Sequence, residues 1–208
     1  MKLMIQVCEV GHLSTNCYLV KETGTGQSFA VDPGFYDASV ETALCNMGVA
    51  RLDYILLTHG HHDHILGLAQ LQDRFGGKIV IHEKEAAFLS DDALSVRPPA
   101  FDNLPRAKQA DILVKEGDTL PFADGEIRVL FTPGHTCGSV CYLLDGCLFS
   151  GDTLFLESIG RTDLPTGNTL QLLRTVRRLA ALEGDWRVFP GHGPETTLSH
   201  ERKYNPYL

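Results

Sequence analysis

Near the start of the chain, apolar and β-branched residues come in short bounded runs. They cover Ile5 to Val10, Asn16 to Lys21 and Ser28 to Val31, parted by Gly11 and by the turn Gly24-Thr25-Gly26. Such runs read as strands, and their close succession predicts an antiparallel meander. Asp32-Pro33-Gly34 ends it. From Asp37 to Met47 the apolar positions Val40, Ala43, Leu44 and Met47 fall at helical spacing and Gly48 closes the segment, so a helix follows the strands. Tyr54-Ile55-Leu56-Leu57 reads as a buried strand, because the run is short, wholly apolar and gives way at once to a polar turn. Ile65, Leu66, Leu68, Ala69 and Leu71 then predict a helix from Asp63 to Gly76-Gly77, and Lys78 to Ile81 another strand.

The segment from 90 to about 110 carries Pro98, Pro99 and Pro105 among scattered polar residues and reads as a long irregular loop. Beyond it lie strands over Ile127 to Thr132, Val140 to Leu144 and Cys147 to Ser150. A loop to Asn168, an amphipathic helix from Leu170 to Ala181 and a last strand at Arg187 to Phe189 complete the pattern. Strands followed by helices, twice over, suit two sheets packed face to face with helices outside.

The 208 residues, 43% of them hydrophobic, suffice for one core and leave little room for a second full-sized domain, so a single domain over 1–208 is expected. A formal net charge of −8, with no long basic run, disfavours a nucleic-acid partner. The segment Met1 to Glu9 lacks the apolar core of a signal peptide, and no apolar stretch has the length of a membrane span, so a cytoplasmic protein is expected. The six cysteines show no metal-knuckle spacing and read as reduced, mostly buried thiols.

Chemistry concentrates in Thr58-His59-Gly60-His61-His62-Asp63-His64, directly after a buried strand and at the start of a helix. Imidazole and carboxylate are ligands of first-row transition metals. Residues i and i+2 of an extended segment point the same way, so His59 and His61 can share one ion. Asp63 and His64, turned by the helix, can serve a second. Three further turns, Thr132-Pro133-Gly134-His135, Ser150-Gly151-Asp152 and Phe189-Pro190-Gly191-His192, each follow an apolar strand and pass through glycine. Alone each is an ordinary capped turn; together with the His-rich loop they supply seven ligands. His62 falls out of phase with the pair around it, and His12, His82 and His200 lack a glycine-turn context, so all four are read as non-ligands, Cys137 and Cys141 as packing residues, and Asp32 as a carboxylate that orients the ligand loops.

These four motifs, in this order and over nearly the whole chain, resemble the metallo-β-lactamase superfamily. The resemblance implies an αββα sandwich of two mixed sheets with helices on the outer faces. It also implies two divalent ions, zinc first with iron or manganese accepting the same donors: one on His59, His61 and His135, the other on Asp63, His64 and His192, with Asp152 bridging. Many β-lactamases of this fold carry Cys or Ser where Asp152 stands, which argues against antibiotic hydrolysis. His61 stands where the flavo-diiron oxygen reductases have Glu. Ser158 to Pro165 and the ending Glu201 to Leu208 are similar to the short, single-domain glyoxalase II-like (hydroxyacylglutathione hydrolase-like) proteins of bacteria, and a chain of that kind is expected to lack the helical extension that supplies glutathione contacts in glyoxalase II.

The resemblance therefore implies a metal-dependent thioesterase acting on a small-molecule thioester such as S-lactoylglutathione, with Asp63 and Asp152 as the catalytic carboxylates. Arg161 is the candidate for a substrate carboxylate, with an ion pair to Asp163 as the competing reading. A mononuclear iron persulfide dioxygenase and a lactonase are the alternatives of the same fold; the dioxygenase family typically has Phe-Gln where this chain has Leu164-Pro165.

Overall fold

A computed structural model describes residues 1–208. The chain runs through β1 (Leu3–Val10), β2 (Thr15–Glu22), β3 (Ser28–Val31), α1 (Ala38–Asn46), β4 (Tyr54–Leu56), α2 (His62–Ile65), α3 (Leu68–Phe75), β5 (Lys78–His82), β6 (Ile112–Val114) and β7 (Thr119–Phe122). It continues with β8 (Gly125–Phe131), β9 (Val140–Leu144), β10 (Cys147–Gly151), β11 (Leu154–Phe155), β12 (Ser158–Ile159), α4 (Thr169–Ala180), β13 (Arg187–Pro190), β14 (Thr196–Thr197) and α5 (Leu198–Tyr204). The first sheet has six strands in the order β1-β2-β3-β4-β5-β6, and the second has six in the order β14-β13-β10-β9-β8-β7. Both are mixed. The pairs β3/β4, β4/β5 and β5/β6 are parallel in the first sheet and β10/β13 in the second, the remaining pairs being antiparallel.

The apolar runs lack polar alternation because both faces of these strands are covered. Successive side chains point to opposite faces, so each strand feeds two cores. In β2, Cys17 and Leu19 enter a core shared with Val40 and Leu44 of α1 and with Leu68 and Leu71 of α3, while Tyr18 and Val20 enter a core between the sheets. Ile55, Ile79 and Ile81 join the first core; Leu56 and Val80 join the second. In β9, Val140, Tyr142 and Leu144 point between the sheets, whereas Cys141 and Leu143 meet Leu179 of α4 and Leu198 of α5 in a third cluster. Three cores separate four layers: helices, sheet, sheet, helices. Truncating any one fully buried leucine to alanine costs about 2–5 kcal/mol.

The αββα sandwich expected from the sequence is what the chain forms. Beyond the short strands β6, β7, β11 and β12, which no apolar run announces, three details differ. The single helix expected from Asp63 to Gly76 is two, α2 and α3, because the backbone N–H of Gly67 turns to the carbonyl of Pro33 (2.9 Å). The stretch after residue 90 is not wholly irregular: it includes a 3-10 turn over Pro99–Phe101 and is tied to α2 by the backbone bond from His62 to Ser95 (2.8 Å). Strand Arg187–Pro190 is followed by β14 and α5, whose buried anchors are Thr196, Leu198 and Glu201.

All six cysteines are free; Cys8, Cys17, Cys141 and Cys147 are buried, Cys137 half-buried and Cys45 exposed. No helix is long and apolar enough to cross a membrane.

Candidate metal centre

The ligand candidates lie at the ends of strands from both sheets. His59, His61, Asp63 and His64 come from the segment after β4, His135 from the turn after β8, Asp152 from the end of β10 and His192 from the end of β13. Glycine lets the two sheets close. Gly151 sits at φ +49°, and a Cβ there would lie 2.2 Å from Thr58 Oγ1, so the end of β10 presses directly on the loop that carries His59.

The side chains converge in two overlapping groups. Ligand atoms of His59, His61 and His135 lie within 4.8 Å of one another, as do those of Asp63, His64 and His192; a third set, His59, His64 and Asp152, connects the two. His135 Nε2 stands 3.0 Å from His61 Nδ1 and 3.2 Å from His59 Nε2. Asp152 Oδ2 is 3.5 Å from His135 Nε2 and 3.6 Å from His192 Nε2, while Asp152 Oδ1 is 3.4 Å from His64 Nε2. Asp63 Oδ2 lies 3.2 Å from His192 Nε2 and 3.5 Å from His64 Nε2.

Four of the five imidazoles are aimed by their other nitrogen, with Nδ1 of His59 beside Thr58 Oγ1 (3.1 Å) and that of His64 against Asp32 Oδ2 (3.0 Å). Nδ1 of His135 meets the carbonyl of Arg161 (2.8 Å) and that of His192 the carbonyl of Leu13 (3.1 Å). His61 differs, turning Nδ1 toward His135.

The donor set fits divalent ions. His64 Nε2 and Asp152 Oδ1 are buried without a hydrogen-bond partner, and buried polar atoms normally have one. Two nitrogen lone pairs 3 Å apart are unfavourable unless a proton or a cation lies between them. His and Asp donors in groups of three are the mixture that zinc, iron and manganese accept.

Electrostatics divides the site. Burial, and then the other imidazoles, push His59 well below the ordinary range, and the same causes push His61 down to about 3, so both stay neutral. For His64 burial acts in the same direction, but Asp63, Asp152 and Asp32 outweigh it and raise the group. Burial would lift both carboxyls, yet His64 and His192 pull Asp63 far down, and His64 with His135 brings Asp152 to about 2. Both aspartates are anions.

A cavity of about 450 Å³ opens over this cluster, floored by His61, Asp63, His135, Asp152 and His192 and walled by Leu13, Val96, Phe155 and Leu164. Arg161 also borders it, with its guanidinium bonded through two nitrogens to Asp163 (2.7 Å each). A substrate carboxylate would have to replace Asp163 there. His62 is buried outside the cluster, stacked with His12 (5.6 Å between centroids) and Phe101 (6.0 Å). His82 stacks on Phe131 and His200 pairs with Glu157, each away from the site. Asp32 takes the orienting position expected of it. Sequence reasoning missed Thr15, whose hydroxyl donates to Asp63 (3.3 Å), and Glu85, whose partners are backbone N–H groups and leave no spacing signal.

The family model of the metallo-beta-lactamase superfamily matches residues 10–192. The chain belongs to that superfamily. Its fold closely follows the crystal structure of BLEG-1 B3 metallo-beta-lactamase, with a TM-score of 0.90, 35% identity and 99% of each chain covered. It also follows TTHA1623 in a di-iron-bound form, with a TM-score of 0.84 and 33% identity over 98% of this chain and 100% of that one. A hydroxyacylglutathione hydrolase of Shewanella sp. (strain ANA-3) is 34% identical over 202 residues, covering 95% of this chain and 68% of the relative. The superfamily is typically dinuclear, and this member is a metallo-hydrolase.

Proposed function

We propose that this metallo-hydrolase cleaves small-molecule thioesters, glutathione-derived ones such as S-lactoylglutathione among them, as a single-domain enzyme of the cytoplasm. The observation that carries the reading is the pair of His/Asp groups joined through Asp152 on the floor of an apolar-walled cavity. Likeness to the Shewanella hydrolase supports the choice of thioester.

In this reading His59, His61 and His135 would hold one divalent ion and Asp63, His64 and His192 the other, with Asp152 available to both groups. Zinc is the first choice; the di-iron form of TTHA1623 supports iron as an occupant. Ions bound there would supply a lowered water pKa and polarisation of a carbonyl oxygen.

The chain's own groups do the rest. Asp63, kept anionic and steadied by Thr15 and His192, orients the attacking oxygen by accepting its hydrogen bond. Leu13, Val96, Phe155 and Leu164 exclude water from the acyl group. A thiol leaving group has a pKa of about 8.5, so its departure needs no strong general acid, and the cavity floor offers none besides histidine. Arg161 binds a substrate carboxylate by exchanging Asp163 for it.

The test is hydrolysis of S-lactoylglutathione by the purified chain, with metal content determined on the same sample. A chromogenic β-lactam and oxygen uptake with glutathione persulfide are run beside it. Thioester turnover with about two ions per chain is expected. Turnover of the β-lactam alone would move the function toward that of BLEG-1, and oxygen uptake with one iron would make the chain a persulfide dioxygenase.

A further inference from the structure

Glu85 lies in the 3-10 helix Glu83–Leu89 that follows β5, and its side chain has no contact with solvent. No lysine, arginine or histidine pairs with it. Its carboxylate instead receives two backbone N–H groups: that of Gly60 on Oε2 (2.9 Å) and that of Gly138 on Oε1 (2.8 Å). Gly60 stands between His59 and His61 in the first sheet's ligand loop, and Gly138 closes the turn that begins at His135 in the second sheet. One carboxylate thus joins the two loops that carry the three-imidazole group.

The approach is close enough to require glycine at both ends. A Cβ on Gly138 would lie 2.6 Å from Glu85 Cγ, and one on Gly60 would lie 2.3 Å from Phe88 Cβ of the same short helix. Burying a carboxylate is costly unless hydrogen bonds or a charge compensate it. Burial pushes the Glu85 carboxyl up, and the two glycine N–H groups, with Thr136 and Cys137 beside them, act against that. Two N–H groups and no cation answer this buried carboxylate, and the two loops it joins carry the imidazoles that would hold one.

We propose that Glu85 is a positioning residue of the metal centre, locking the His59–His61 loop to the His135 turn through Gly60 and Gly138. The inference rests on the metal-centre reading and is independent of the thioester. Asp32 does the equivalent on the other side of the centre, through Thr58 and His64.

The full chain loaded with zinc is tested by competition with a chromophoric chelator in wild type, Glu85→Gln, Gly138→Ala and Glu201→Gln. The last is a control: Glu201 is also a fully buried carboxylate, bonded to Thr196, Asn205 and the N–H of Glu157, none of which belongs to the two loops that Glu85 joins. An amide at position 85 can accept from only one of the two glycines and opposes an N–H to the other. Glu85→Gln is expected to weaken zinc about 10–100-fold, the usual effect of losing a group that holds metal ligands in place. Gly138→Ala, which keeps the charge but displaces the carboxylate, weakens it in the same direction. Glu201→Gln lowers the melting temperature and leaves zinc affinity unchanged.

Zinc held within twofold of wild type by Glu85→Gln, or by Gly138→Ala should the glutamine variant not fold, overturns the proposal. So does an equal loss in Glu201→Gln, because the effect would then be general destabilisation. Since zinc is measured without substrate, a wild type that holds zinc but leaves thioesters intact overturns only the thioester reading, and one that takes no zinc overturns the centre itself.

Discussion

Replacing Asp32 by asparagine tests the imidazole-aiming frame with a change of one atom. Asp32 Oδ1 accepts the backbone N–H of Thr58 (2.8 Å), and Oδ2 accepts the Thr58 hydroxyl (2.6 Å) and faces His64 Nδ1 (3.0 Å). The residue is 1% exposed and sits at φ +49°, a conformation that asparagine tolerates as well as aspartate, so the backbone is not disturbed. An amide has a single acceptor oxygen. If it stays on Thr58 N–H, the new NH2 group opposes His64 Nδ1–H, and relief comes by moving the imidazole proton to Nε2. That nitrogen is the one facing Asp63 and Asp152, and a protonated Nε2 has no lone pair for an ion.

Forcing the original tautomer leaves a buried donor unpaired, at about 1–3 kcal/mol. With each factor of ten equal to about 1.4 kcal/mol, the affinity of the Asp63–His64–His192 group falls roughly 5–150-fold. That range overlaps the 10–100-fold loss typical for residues that orient metal-bound histidines. Chelator competition should therefore show one ion leaving the variant more readily, and activity at limiting zinc should fall in step and return with excess zinc. An Asp32→Asn protein that retains both ions with wild-type affinity would refute the tautomer argument.

Tyr142→Phe removes the hydroxyl that donates to the carbonyl of Leu57 (2.9 Å) at a fully buried position. A loss of about 1–3 kcal/mol is expected, or roughly 2–12 °C in melting temperature for a chain of this size, read by differential scanning calorimetry. Removing metal with a chelator should abolish hydrolysis while far-ultraviolet circular dichroism is retained, because the three cores contain none of the ligand side chains. Glu22 is held at about 2 by the backbone N–H groups of Thr25 and Gly24, so its stabilising effect is present above its unfolded value near 4.5 and is lost as pH falls toward 2. The stability difference between wild type and Glu22→Gln in urea titrations should accordingly shrink between pH 5 and pH 3; a constant difference would contradict it.

Much of the architecture was legible because burial on both faces writes continuous apolar runs, as in Tyr54 to Leu57 and Val140 to Leu144, and because glycine turns mark where strands end. The ligand candidates were legible for the same reason: each stands directly after such a run. What escaped detection lacks an apolar signature. Strands β6 and β7 have three and four residues and flank the charged turn Lys115 to Asp118, and α5 buries only Leu198 and Glu201. The helix break at Gly67 depends on the Pro33 carbonyl, far away in sequence. The carbonyls of Leu13 and Arg161 that aim His192 and His135 could not be read at all, since every residue has a carbonyl and only the fold selects which one is used. Arg161 shows the same limit: its type suggested a partner for an anion, and the anion the fold supplies is Asp163.

The division of donors between the sheets explains why so much of the frame is built from backbone. His59, His61, Asp63 and His64 belong to the first sheet's loops, and His135, Asp152 and His192 to the second's, so either group of three requires the two sheets to be in register. The inter-sheet core is apolar and non-directional, and it sets their separation without fixing the position of loops at the edge. Directional bonds across the gap supply that precision. Tyr142 of the second sheet donates to Leu57 of the first, Val140 N–H meets the Thr58 carbonyl (2.9 Å), Asn16 reaches the carbonyls of Pro190 and Gly193, and Glu85 joins Gly60 to Gly138. All of them flank ligand positions and end on main-chain atoms. Backbone ends move less than long side chains, so ions bound by both sheets would meet donors already placed before they arrive.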